Sequence, residues 1–161
     1  MAKNFYIRGA TKEDIPTIIS LIRELAVYEK LEHELVATPE LFEKSLFSEN
    51  PSAEVVIGEI EGKAVGYALF FHNFSTFLGK KGLYLEDLFV KPDYRGLGFG
   101  KELLLHLVKI AKDRGCGRME WSVLDWNQPA IEFYKSLGAV PMEEWTVFRL
   151  DSVAINKICK P

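Results

Sequence analysis

The chain has 161 residues, of which 48% are hydrophobic, 12% aromatic and 27% charged. That make-up fits one ordinary globular domain over 1–161 and argues against a disordered or fibrous chain. A net charge of −3 gives no general attraction to nucleic acid, and no run approaches the roughly 18 apolar residues of a membrane span. Met1 to Gly9 lack the apolar stretch of a signal peptide, so a cytoplasmic location is expected. Cys116 and Cys159 lie far apart outside any paired spacing, and His33, His72 and His106 share no ligand spacing, so neither a disulfide framework nor a metal is expected.

Phe5, Ile7 and Ala10 lead into Thr11, a helix cap with Asp14 at the third helical position. Ile15, Ile18, Ile19, Ile22, Leu25 and Ala26 keep helical spacing as far as Tyr28. After a polar segment, Thr38 and Pro39 start a short second helix through Leu46. The β-rich runs 54–60 and 63–71 flank Glu61-Gly62, which predicts an antiparallel hairpin with a two-residue turn. A strand over 82–90 carries two carboxylates, Glu86 and Asp87, and alternation sends Asp87 to the face opposite Glu86, in a structural role. Leu103, Leu104, Leu107, Ile110 and Ala111 mark an amphipathic helix that ends near Gly115, and 118–124 reads as a strand. Strand, glycine loop, helix and strand then form a βαβ unit with parallel strands. A helix over 127–137 is closed by Gly138, and 140–142 and 145–150 read as two last strands before a short tail.

The loop Arg95-Gly96-Leu97-Gly98-Phe99-Gly100-Lys101 stands where a helix begins. Amides at a helix start are unpaired and partly positive, and glycines let a pyrophosphate approach them. A flexible turn is the plainer reading of such a cluster. A Walker A loop fails, because Glu102 follows Lys101. A dinucleotide loop fits poorly: Lys101 stands where Gly or Ala belongs, although Asp125 ends the next strand as a ribose-binding acid should. The spacing of Arg95, Gly98 and Gly100 matches [QR]xxGxG.

With this loop, Tyr84-Leu85-Glu86-Asp87-Leu88-Phe89-Val90 and 126–135 (Trp126-Asn127-Gln128-Pro129 to Lys135), the sequence resembles the GNAT acetyltransferases, in their diamine branch of spermidine/spermine and thialysine acetyltransferases. The resemblance covers nearly the whole chain. It implies an α/β fold, a mixed, twisted sheet of about six or seven strands flanked by helices, and acetyl-coenzyme A as acetyl donor. It also implies a homodimer and a small-molecule amine as acceptor. Backbone groups of Leu88, Phe89 and Val90 would bind the acetyl carbonyl and pantetheine arm, and Arg95 and Gly96 to Lys101, with Leu97, Gly98, Phe99 and Gly100 between, the pyrophosphate. Asn127, Gln128, Pro129 and Ala130 would contact the cofactor from the other side, and Tyr134 would protonate the departing thiolate. By position alone Tyr134 reads first as a core aromatic among Ile131, Phe133 and Leu137, and the resemblance reverses that preference.

An amine with a lysine-like pKa must shed a proton before attack, at roughly 4 to 5 kcal/mol near pH 7. Glu86 is the expected base, directly or through a water, with a salt-bridged strand carboxylate as the plainer reading. Around the acceptor the resemblance places Tyr28, Glu29, Glu86, Glu120, Trp121, Ser122 and an acid at Glu143 or Glu144. Two other functions stay open, a noncatalytic acyl-coenzyme A sensor and a nicotinamide-dependent oxidoreductase.

Overall fold

A computed structural model describes residues 4–159. Met1 to Lys3 of the N-terminal stretch, and Lys160 and Pro161 of the expected tail, lie outside the described residues. The chain divides into two compact units, one ending at Ser122 and the other beginning at Val123.

The first unit holds a sheet in the order β1-β2-β3-β4-β5. Its strands are β1 (Phe5–Gly9), β2 (Glu54–Ile60), β3 (Lys63–Ser75), β4 (Lys80–Val90) and β5 (Met119–Trp121). The first four pair antiparallel and β5 runs parallel to β4, because α3 (Phe99–Asp113) carries the chain back between them. Glu61 and Gly62 close the β2–β3 hairpin with φ of 50° and 74°, the two left-handed positions of a type I′ turn.

Each face of this sheet is covered by apolar stripes. On one side Ile18, Leu21 and Leu25 of α1 (Ile15–Glu29) and Leu46 of α2 (Pro39–Leu46) cluster with Val55, Ile57, Tyr67, Leu69 and Phe89. Side chains buried to this degree contribute about 1.5 to 3 kcal/mol each in apolar transfer. A short 3-10 turn, Lys12–Asp14, precedes α1, and Asp14 accepts from the Thr11 amide at 2.7 Å and from Arg8 at 2.7 and 2.8 Å. On the other side α3 buries Phe99, Leu103, Leu104, Leu107 and Ala111. Phe5 stacks on Phe99 with centroids 4.3 Å apart, which fastens the start of α3 to β1. Gly66 is required beneath this helix, since a Cβ there would meet the Phe89 carbonyl oxygen at 2.6 Å.

The second unit holds α4 (Gln128–Ser136) and α5 (Ser152–Ile158). Gly138, at φ 89°, follows α4 as expected. Three expectations need correction. Among the described residues the sheet has five strands, not six or seven: 140–142 and 145–150 form none. Their β-prone residues gain no ladder. Trp145 N bonds Met142 O at 3.2 Å in a turn, and Val147 and Phe148 stay 84% and 93% exposed. Likewise the strand expected over 118–124 shrinks to Met119–Trp121, and the tail contains α5, capped by Asp151, whose side chain accepts from the Ala154 amide at 2.8 Å.

Candidate active site

The site begins with an irregularity in β4. Leu69 of β3 stands opposite Asp87 and Phe70 opposite Leu85, so Glu86 is an extra residue without a partner across the ladder, a β-bulge. β5 pairs with β4 only from Leu83↔Met119 to Leu85↔Trp121. Among the described residues, the β5-side edge of β4 therefore has no strand partner from Glu86 onward. An extended arm with its own amide groups can pair with such an edge.

Three carboxylates influence one another at the bulge. Glu86 is exposed. Asp87 accepts from the Tyr67 hydroxyl at 3.0 Å, and Tyr67 is fully buried. Burial pushes the Asp87 carboxyl up to about 6, against the hydrogen bond from Tyr67 and with added repulsion from Glu86 and Glu29. Burial, then the charge of Glu86, also raises Glu29 at the end of α1. A group of acids held at a cost in mutual repulsion favours a bound cation and supplies proton acceptors. Alternation along the strand gives Asp87 a structural role, apart from Glu86. The bulge and the Tyr67 bond, which pairs residues 20 apart in sequence, carry no local sequence signal.

Val90 is followed by a 3-10 turn at Pro92–Tyr94 and then the glycine loop. Gly96 and Gly98 have φ of 75° and 88°, a region that a Cβ disfavours, and Gly98 caps α3 without a side chain. A Cβ at either glycine would meet no atom within 4 Å. The first-turn amides of α3 are thus approached through open space, the arrangement a pyrophosphate needs. These residues fit the phosphate end of acetyl-coenzyme A. Arg95 donates from Nε to the Val90 carbonyl oxygen at 2.8 Å. Its guanidinium carbon lies 4.6 Å from the Tyr28 ring centroid.

At the β5 end, the Ser122 and Tyr84 hydroxyls are 3.0 Å apart. Glu120 accepts from Arg118 at 2.9 Å and from Asn73 at 3.4 Å, so it is already paired. Trp121 is half-buried. In the second unit, Asn127 caps α4, its side chain accepting from the Ala130 amide at 3.4 Å. Gln128 and Pro129 form the first turn and Tyr134 the last, half-buried with its ring centroid 5.4 Å from that of Phe133. Glu144 is exposed. The structure therefore draws Tyr28 and Arg95 together, and Glu29, Glu86 and Asp87. Among the described residues there is no group of three or more side chains able to hold a metal ion, and no helix long and apolar enough to cross a membrane.

The sequence pattern of the Acetyltransferase (GNAT) family matches residues 18–139. Thialysine N-epsilon-acetyltransferase of Sus scrofa is 37% identical, covering 94% of this chain and 95% of the relative. L-ornithine N5-acetyltransferase NATA1 of Arabidopsis thaliana is 34% identical over 96% of this chain and 87% of its own. Among solved structures, the integron cassette protein VCH_CASS6 of V. cholerae superposes with a TM-score of 0.81 at 28% identity, covering 100% of this chain and 99% of that one. The bulged fourth strand, the glycine cradle at the start of α3 and relatives at 37% and 34% identity over nearly the whole length agree: the chain belongs to the acetyltransferase (GNAT) family.

Proposed function

We propose that the chain transfers the acetyl group of acetyl-coenzyme A, by direct attack, to the primary amine of a small cationic acceptor of the basic amino acid or diamine class. One observation carries the reading: β4 joins a partnerless edge, a bulge bearing two carboxylates and, one turn later, an open glycine cradle. When bound, acetyl-coenzyme A supplies an acetyl group activated as a thioester. The backbone of Leu88, Phe89 and Val90 orients it, and the Gly96 to Lys101 amides hold its pyrophosphate. Asn127 to Ala130 add contacts, and the Tyr134 hydroxyl donates a proton to the leaving sulfur. These last roles are supported by the sequence resemblance. The family pattern runs from 18 to 139, across the division between the units, which supports one acetyltransferase domain over 1–161. A homodimer belongs to the same reading.

For the acceptor, Glu29 and Glu86 attract the ammonium, and Tyr28, Trp121, Ser122 and Glu144 complete the proposed surroundings. Glu86 accepts the proton directly or through a water. Asp87, raised to about 6, is a stronger base than an ordinary aspartate and shares the proton load beside it. The relatives named for thialysine and L-ornithine favour acceptors with an amine at the end of a short chain.

The test is acetyl transfer from acetyl-coenzyme A to a panel holding lysine analogues, ornithine, diamines and polyamines, beside peptides with free N-termini. Turnover of the small amines, rising with pH as the ammonium deprotonates, is the expected result. Acetylation of the peptides alone would overturn the acceptor class. Cofactor binding with no turnover would return the sensor reading.

A further inference from the structure

Arg95 opens the glycine loop, yet its side chain reaches two other elements of the first unit, β4 and α1. Nε donates to the Val90 carbonyl oxygen at the end of β4, 2.8 Å away. The guanidinium carbon stands 4.6 Å from the Tyr28 ring centroid and 5.4 Å from that of Phe89, inside the roughly 6 Å reach of a cation over an aromatic face. Tyr28 belongs to the last turn of α1, beside Glu29. That end is held by a left-handed Lys30 at φ 60° and by Leu31 N bonding Ala26 O at 2.8 Å.

We propose that Arg95 is a positioning residue that couples the cofactor loop to the acceptor end of α1, holding Tyr28 in place when the loop is filled. The inference rests on the function proposed above and deepens it. A guanidinium that uses Nε on a carbonyl and a face on a ring has only its outer N–H groups left for an anion. The base of this side chain is set by the loop, so a pyrophosphate that fixes Gly96 to Gly100 also fixes Arg95 and, through it, the Tyr28 ring. Coupling of this kind is reciprocal: a filled loop tightens amine binding by the factor by which amine tightens cofactor binding.

The experiment is a double-mutant cycle on the full chain with Arg95→Gln and Tyr28→Leu, reading KM for the amine and Kd for acetyl-coenzyme A, with melting curves to show folding. Each single change should raise the amine KM by about 3- to 10-fold, in keeping with a partly exposed cation–aromatic contact. The double change should do no more than either alone. Tyr28→Phe keeps the ring and should keep most of the coupling. Arg95→Lys keeps a charge for phosphate but cannot hold Val90 and cover the ring together, so it should behave like Arg95→Gln. A second arm needs no amine. Acetyl-coenzyme A should slow amide exchange over 26–31 in the wild type and not in Arg95→Gln.

Two results would overturn the proposal. One is a large rise in cofactor Kd, restored by Arg95→Lys, with amine KM unchanged, since Arg95 would then be a phosphate ligand. The other is amide exchange over 26–31 that responds equally in both proteins. If the wild type acetylates no amine, the function reading fails while the exchange arm still decides the coupling.

Discussion

Replacing Asp87 by Asn tests whether the fold bears a carboxylate it would rather keep neutral. The carboxyl is displaced from its ordinary 3.8 to about 6, chiefly by burial, and such a displacement corresponds to about 3 kcal/mol between the charged and neutral forms. A carboxyl whose folded pKa is raised binds its proton more tightly in the native state. Its stabilising contribution is present below pH 3.8 and is lost as pH climbs through 6. Asn is neutral throughout and still offers an oxygen to the Tyr67 hydroxyl, now 3.0 Å from Asp87. Urea unfolding of both proteins from pH 4 to 7.5 should show the variant more stable by about 1 to 3 kcal/mol near neutrality. That advantage should shrink steadily toward pH 4. Comparing the two curves cancels opposing groups such as Asp14, held down to about 2 by Arg8. A difference that does not change with pH, or a variant less stable at pH 7, would refute the argument.

Two further outcomes probe the chemistry. Gly98→Val forces a β-branched residue to φ 88°, a strain of about 1 to 3 kcal/mol, and places its methyls in the open space over the α3 amides. Calorimetry on folded protein should show acetyl-coenzyme A affinity falling at least tenfold, and an unchanged affinity would remove the cradle as the phosphate site. Tyr134→Phe keeps the ring beside Phe133 and should leave the melting temperature within a few degrees. Its single-turnover acetyl transfer should drop by roughly 10² to 10⁴, and a rate within threefold of wild type would hand the proton to another donor.

Much of this was readable along the chain because it is local. The α1 stripe, the Glu61-Gly62 turn, Pro39 after Thr38 and the glycine loop each act within a few residues, and each lies where the spacing put it. The bulge was not readable, because alternation assumes an unbroken ladder, and only the register against β3 shows that Glu86 is extra. The surroundings of Asp87 were hidden for the same reason, being set by Tyr67 from the neighbouring strand. The segments 140–142 and 145–150 failed differently. Valine, tryptophan and phenylalanine mark a willingness to be strand, whereas a strand exists only where another backbone accepts its hydrogen bonds. In the acceptor region, acids such as Glu120 and Glu86 look alike in sequence. Arg118, two residues earlier, neutralises the first.

Because Glu86 has no partner across the ladder, β4 holds a residue that contributes nothing to pairing. A chain lacking Glu86 alone would join Leu85 directly to Asp87 and keep every β3–β4 partnership on either side, so the sheet would lose a kink and no register. The proposed proton acceptor is thus a guest in the strand that carries it, and selection can alter or remove it almost independently of folding. A scaffold built this way can exchange one chemistry for another, or fall silent, while remaining the same fold.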